Sequence, residues 1–134
     1  RRSLGQAPQA DQQVFLADTL GEMALWYPMA GLCLIGGTFT DRGGHTPFEP
    51  GHFGCALMHG PDVSNFADVF AQLDVAGGAI AVSSPAELAS ALQACDRDAQ
   101  TTLAGHAAPI LQAPGDAQSL IDTLLTKSGL QPAG

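Results

Sequence analysis

Runs of apolar residues alternate with longer mixed segments along this chain of 134 residues. Three continuous apolar runs occupy residues 32–37 (LCLIGG), 55–61 (CALMHGP) and 78–83 (GAIAVS), and a short β-branched and aromatic run, VFLA, occupies residues 14–17. Near-continuous apolar runs are typical of parallel strands that are covered on both faces of a sheet. The pattern therefore predicts four strands.

The segments between these runs carry helical patterns. The clearest stripe has apolar residues at positions i, i+3, i+4 and i+7, namely Phe66, Val69, Phe70 and Leu73. Further helices are predicted at residues 18–31, 47–53, 84–95, 98–111 and 116–127. Alternating strands and helices predict an α/β fold, a parallel sheet flanked by helices with right-handed crossovers. Since nucleotide-binding domains of this class have about six strands, we expect residues 14–134 to be the later part of a larger domain, after a flexible lead-in at residues 1–13.

Three predicted helix starts match the capping box, in which Ser or Thr is followed three residues later by Glu. The pairs are Thr19 with Glu22, Thr46 with Glu49, and Ser84 with Glu87. Two interpretations stay open for Glu22 and Glu49: they cap the helix, or they contact a ligand. Both helices follow strand ends, where open α/β sheets bind ligands. For Glu87 we expect the capping role alone.

The charge of the chain limits its partners. The net charge is −8, with only five basic residues, which argues against binding nucleic acid or anionic lipid. An anionic ligand would depend mainly on backbone amides and helix N-termini. We interpret Cys33, Cys55 and Cys95 as small core residues and not as a disulfide framework or a zinc site. Neither a signal peptide nor a transmembrane segment is predicted, so we expect this piece to be soluble.

The stretch with the most candidate chemistry is GGTFTDRGGHTPFEP, residues 36–50. Four glycines in nine residues indicate either tight packing of a crossover or a ligand close to the backbone. Arg42 lies between the glycine pairs, where it either contacts an anion or is solvated. His45 is a candidate ligand contact. No metal site is predicted, because the histidines at 45, 52 and 59 fall on a loop, a helix and a strand end, and no catalytic nucleophile stands out.

Three stretches, taken in order and spacing, resemble the C-terminal part of the Kdo transferases. They are DTLGEM (18–23), LIGGTFTDRGGHTPFEP (34–50) and HGPDVSNFAD (59–68), and the likeness extends over about residues 14–90. Kdo transferases move 3-deoxy-manno-octulosonic acid (Kdo) from CMP-Kdo to lipid A precursors. The chain departs from the family pattern at Thr46, where the family has Asn, and at Phe48, where it has Leu.

The resemblance implies a GT-B glycosyltransferase, with two Rossmann-like domains facing a cleft. This chain would be part of the C-terminal, donor-binding domain. The acceptor domain, the catalytic base and the membrane anchor would lie elsewhere in a parent protein at the cytoplasmic face of the bacterial inner membrane, so we expect the fragment alone to be inactive. We expect the chain to require no cofactor, and we assign none of its residues to catalysis.

The resemblance also implies a set of donor-binding residues. The glycines would allow close backbone approach, amides near Gly21 and Thr46 would meet phosphate or carboxylate, and Glu22 and Glu49 would meet hydroxyls. The full set is Thr19, Gly21, Glu22, Gly36, Gly37, Arg42, Gly43, Gly44, His45, Thr46 and Glu49.

Two alternatives stay open: a GT-B transferase that uses another nucleotide sugar such as a UDP-sugar, and a non-catalytic nucleotide-binding module. We also expect the fragment to self-associate through an exposed sheet edge.

Overall fold

The computed structural model describes residues 1–112, so the helix predicted at 116–127 lies outside the described residues. Its centre is a three-stranded parallel sheet in the order β1-β2-β3. The strands are β1 (Leu32–Leu34), β2 (Ala56–His59) and β3 (Ala79–Ala81). Leu57, in the middle strand, is in register with Cys33 on one side and with Ala79 on the other. The predicted Rossmann-like α/β class is confirmed.

In the described part of the chain, five α-helices flank or follow the strands. They are α1 (Met23–Trp26), α2 (Phe48–His52), α3 (Ala67–Ala76), α4 (Pro85–Ala94) and α5 (Arg97–Leu111). Short 3-10 turns lie at Arg2–Leu4, Tyr27–Met29 and Ser64–Phe66. Each parallel pair of strands is thus joined by a segment that contains a helix, as parallel pairing requires.

The core lies between the sheet and the pair α3 and α5. All four residues of β2 are buried, and Phe70 and Leu73 from the predicted stripe are fully buried on α3. Ala107 and Leu111 of α5 complete this cluster. Of the three cysteines, all free, Cys55 and Cys95 are buried and Cys33 is half-buried, which agrees with their interpretation as packing residues.

The strand predicted at residues 14–17 is wrong. Within residues 1–112 the sheet has three strands, and Val14 is 85% exposed. A β-branched run becomes a strand only when a neighbouring ladder accepts its hydrogen bonds and covers one of its faces. No described strand pairs with this run.

Two of the predicted helix starts differ from the structure. The helix predicted from residue 18 begins at Met23, because Gly21 adopts a left-handed conformation (φ 80°) that interrupts a helix. The capping box at Ser84 is confirmed in part. The Glu87 N–H donates to Ser84 Oγ (3.2 Å), but the Glu87 carboxylate accepts from the N–H of Ser83 (2.8 Å) and not from that of Ser84. At α2 the N-cap is Pro47, without a side-chain cap.

None of the helices described within residues 1–112 has the length and apolar character needed to cross a membrane.

Candidate functional site

A cleft of about 340 Å³ opens at the carboxyl end of β1. Its lining includes residues from α1 and the turn after it, from the loop that follows β1, and from α2 and the residues before it: Met23, Tyr27, Gly36, His45, Thr46 and Glu49. Four of these, Gly36, His45, Thr46 and Glu49, were predicted from the sequence as site residues. The cleft lies where open α/β sheets bind ligands, at a strand end followed by a loop and a helix.

The glycine loop, residues 36–45, closes on itself. The Gly44 N–H donates to the Gly37 carbonyl (3.2 Å), and the His45 N–H donates to the Gly36 carbonyl (2.9 Å). Gly37, Gly43 and Gly44 have φ values of 73°, 74° and 74°, which side-chain-bearing residues rarely adopt. These three glycines are therefore required by the shape of the loop itself.

The imidazole of His45 lies against Gly36 at the wall of the cleft. A Cβ atom on Gly36 would lie 3.0 Å from His45 Cδ2, which is tighter than ordinary contact. Gly36 thus allows the ring of His45 to lie across the backbone at the end of β1.

Thr46 and Glu49 stand at the start of α2. The Phe48 N–H donates to Thr46 Oγ1 (3.3 Å), so the hydroxyl satisfies one backbone group there. Glu49 is exposed and makes no capping bond within the described residues. Its carboxylate lies near Tyr27, and burial together with this negative charge raises the pKa of Tyr27. The structure therefore leaves Glu49 available at the cleft wall.

Thr19, Gly21 and Glu22 form a second group, beside the cleft and not in its lining. The guanidinium of Arg2 binds the Glu22 carboxylate in a bidentate pair, with Nε to Oε2 at 2.8 Å and Nη2 to Oε1 at 2.7 Å. The Thr19 hydroxyl donates to the same carboxylate. The bonds from Arg2 and then Thr19 lower the pKa of Glu22 to about 2.

Arg42, the remaining polar candidate, is exposed at the tip of the loop and does not line the cleft. Gly43 and Gly44 are buried under the segment that follows β2. The structure therefore divides the predicted set into cleft-lining residues, a neighbouring ion-paired group and loop-shaping residues.

His45, His52 and His59, which are spaced seven residues apart in the sequence, do not form a cluster. His59 is buried, with Nδ1 2.8 Å from the Gly60 carbonyl and Nε2 3.0 Å from Asp74 Oδ1. His52 packs on its neighbour Phe53. In the part of the chain that the structure describes, no cluster of three or more His, Cys, Asp or Glu side chains could hold a metal ion.

Sequence reasoning missed Asp62 and Asn65. Both side chains bond the backbone of the glycine loop from about twenty residues further along the chain. The available signal was local: an Asp and an Asn after a Gly-Pro pair, residue types that are typical of turns. That signal gives no indication of which distant backbone groups the side chains contact.

The chain is similar to curated 3-deoxy-D-manno-octulosonic acid transferases. It is 34% identical to the protein from Haemophilus influenzae over 87 residues, 65% of this chain and 20% of that protein. It is 37% identical to the protein from Bordetella pertussis over 81 residues, 60% of this chain and 19% of that protein. The chain thus spans about a fifth of the length of the curated relatives it matches. No protein-family model matches it.

A solved structure extends the likeness to the fold. The crystal structure of the C-terminal CMP-Kdo binding domain of WaaA from Acinetobacter baumannii matches with a TM-score of 0.77 and 30% identity. The match covers 83% of this chain and 59% of that domain. The resemblance predicted from the three motif stretches is therefore confirmed: in sequence and in fold, this chain is similar to the C-terminal domain of the 3-deoxy-D-manno-octulosonic acid transferases.

Proposed function

We propose that this chain is part of the donor-binding half of a glycosyltransferase that moves Kdo from CMP-Kdo to a lipid A precursor. The observation that carries the proposal is the likeness of 83% of the chain to a CMP-Kdo binding domain, together with a cleft built from the same motif residues that predicted the family. In the parent protein, the acceptor would be bound by another domain, at the cytoplasmic face of the inner membrane.

The reaction proposed for the parent protein is a direct displacement at the anomeric carbon of Kdo. An acceptor hydroxyl oxygen forms the new bond to that carbon, and the bond from the carbon to the phosphate oxygen breaks. CMP leaves with the electron pair, and a base in the acceptor domain takes the hydroxyl proton. Since this chain would supply neither base nor acceptor site, it would hold the donor and be inactive alone.

Within the donor site, the residues would have distinct roles. Gly36 and Gly37 would let the donor approach the backbone at the end of β1. The backbone amides near Thr46 would meet the phosphate or carboxylate of the donor. Glu49 would accept hydrogen bonds from hydroxyls of the ribose or of the sugar, and such bonds to a carboxylate are strong. Arg42 would offer a positive charge at the loop tip.

The neighbouring group formed by Thr19, Gly21 and Glu22 would border the donor beside Met23, and the backbone near Gly21 would face its phosphate or carboxylate. The bond from Arg2 already satisfies much of the hydrogen-bonding capacity of Glu22. We therefore expect Glu49 to contribute more to donor affinity than Glu22.

The test is calorimetric titration of the chain with CMP and, separately, with UDP. Glu49→Gln should weaken CMP binding by about tenfold or more, since it removes a charged acceptor. Glu87→Gln is the matched control, because Glu87 occupies the corresponding position of another helix, outside the cleft, and should change the affinity by less than about twofold. Unchanged CMP affinity in Glu49→Gln contradicts a contact between Glu49 and the ribose, and tighter binding of UDP favours the alternative donor.

We further propose that isolated copies of the chain associate through β1. Within residues 1–112 this strand pairs only with β2, and Leu34 on it is 37% exposed. An unpaired strand edge with apolar side chains is a template for pairing with another chain.

A further inference from the structure

The segment that follows β2 runs along the glycine loop and bonds it at several points. The Gly43 N–H donates to Asp62 Oδ2 (2.7 Å), and the Asp62 N–H donates to the Thr38 carbonyl (2.9 Å). The buried Thr38 hydroxyl in turn accepts from the Gly60 N–H (2.8 Å) and donates to the Ile35 carbonyl (2.7 Å). These bonds connect the loop to the ends of both β1 and β2.

Asn65 makes the largest set of contacts with the loop. Its backbone N–H donates to the Gly43 carbonyl (2.9 Å). Its side-chain Nδ2 donates to the carbonyls of Arg42 (2.9 Å) and Gly44 (3.1 Å). One residue therefore satisfies three successive carbonyls, and a side chain without an N–H donor cannot replace it.

The fit between the two segments is tight. A Cβ atom on Gly43 would lie 2.5 Å from Asn65 Cγ, and one on Gly44 would lie 2.9 Å from Thr38 Cγ2 and 3.1 Å from the Asp62 carbonyl oxygen. Because distances of 2.5 and 2.9 Å are shorter than real Cβ contacts, a side chain at Gly43 or Gly44 would force its neighbours to move.

The same glycine pair determines the position of the cleft wall. Gly44 is bonded to Gly37, and the next residue, His45, is bonded to Gly36. Gly36 and His45 line the cleft, whereas Asp62 and Asn65 do not. A change at Asp62 or Asn65 would therefore reach the cleft only through the loop.

We propose that Asp62 and Asn65 are positioning residues that hold the glycine loop in the conformation able to receive the donor. The identity of the ligand rests on the proposed function. The proposal goes beyond that function because it assigns a positioning role to two residues that contact the loop and do not line the cleft. Ligand affinity falls in proportion to the fraction of molecules whose site is already formed, so a loosened loop weakens binding without loss of any direct contact.

The experiment uses the full chain and four variants. Asn65→Asp keeps the shape of the side chain but removes the donor to two carbonyls, and Asp62→Ala removes the acceptor for the Gly43 N–H. Asp62→Asn retains an acceptor oxygen and serves as the conservative rescue. Asp68→Asn is the matched control, since Asp68 is an exposed carboxylate at the start of α3 whose side chain does not bond the loop. Each is measured by amide hydrogen exchange and by calorimetric titration with CMP.

In Asn65→Asp and Asp62→Ala, the amides of Gly43 and Gly44 should exchange about tenfold faster, and CMP should bind about tenfold more weakly. The amides of Ile35 and Val82, which are bonded to β2, should keep their protection. Asp62→Asn and Asp68→Asn should behave as the unaltered chain does. Saturating CMP should slow loop exchange in Asn65→Asp, because the ligand selects the ordered loop.

Two outcomes overturn the proposal: unchanged exchange at Gly43 and Gly44, or faster exchange there with unchanged CMP affinity. Absence of CMP binding by the unaltered chain has a different meaning, since it overturns the proposed function. In that case the exchange rates alone decide whether Asp62 and Asn65 hold the loop.

Discussion

At the scale of single residues, three glutamates with the same capping-box spacing have three different environments. Glu87 accepts from the backbone before its helix, Glu22 is bound by Arg2, and Glu49 is exposed at the cleft. Of these three environments, only that of Glu87 was predicted from the local sequence. The pairing of Glu22 with Arg2, twenty residues away, has no local signature, because it depends on how the chain folds back.

Removing the Arg2 side chain should raise the pKa of Glu22. In Arg2→Gln we expect that pKa to rise from about 2 toward its ordinary value of 4.5, with part of the lowering retained through Thr19. Because the pKa is depressed in the folded state, the pair stabilises the fold above about pH 4.5, and this contribution is lost as the pH falls toward 2. An NMR titration of the Glu22 carboxyl carbon measures the shift.

Glu87 provides the internal control for this titration. Hydrogen bonds from Ser83 lower the pKa of Glu87. Because both residues are far from Arg2 in the chain, the pKa of Glu87 should be the same in Arg2→Gln and in the unaltered chain. An unchanged titration of Glu22 in Arg2→Gln would show that Arg2 is not its partner in solution.

At the scale of elements, the contact between α5 and the start of β3 depends on a glycine whose role the sequence did not reveal. A Cβ atom on Gly78 would lie 3.0 Å from both Cα and N of Ala107. Within residues 1–112, a Cβ atom on Gly105, on α5 itself, would have no atom within 4 Å apart from the backbone of its own helix. Hydrophobic periodicity predicted both the helix and the strand, but it carries no information on how closely their backbones approach.

The two glycines should therefore respond oppositely to alanine. Gly78→Ala should destabilise the fold by about 1–3 kcal/mol, since α5 must move away from the sheet. Gly105→Ala should stabilise it by about 0.5–1 kcal/mol, since alanine favours the helix interior. Thermal unfolding followed by circular dichroism measures both, and equal shifts of the same sign would contradict the packing described for α5.

At the scale of the whole molecule, the parallel sheet and its crossovers were predictable from alternation alone, because a few rules of connection allow few arrangements. The strand at residues 14–17 was wrongly predicted, since its apolar pattern does not show whether a partner strand exists. Four residues that line the cleft, Gly36, His45, Thr46 and Glu49, were predicted as donor-binding residues from the glycine-rich stretch and from the family resemblance. Asp62 and Asn65 were missed, because their partners are backbone groups that any sequence possesses.

The edge of β1 that pairs with no strand within residues 1–112 leads to a prediction for the molecule as a whole. Sedimentation velocity should show association that increases with concentration, and Leu34→Lys should reduce it, because a charge on an edge strand opposes pairing. Leu92→Lys, on the exposed surface of α4, is the control for an added charge at an exposed leucine. A monomer at every concentration would rule out association through β1.

The bonds between the glycine loop and the segment after β2 also define what can be exchanged between relatives. Residues 36–45 and 59–65 meet through bonds from loop backbone atoms to the side chains of Asp62 and Asn65. Backbone–backbone bonds and the Thr38 hydroxyl add to this contact. A chimera that receives only the loop would present its carbonyls to a foreign residue at position 65, and one that receives only the second segment would meet a foreign turn. For grafting and for library design, the two stretches therefore form a single module, inherited together or disrupted together.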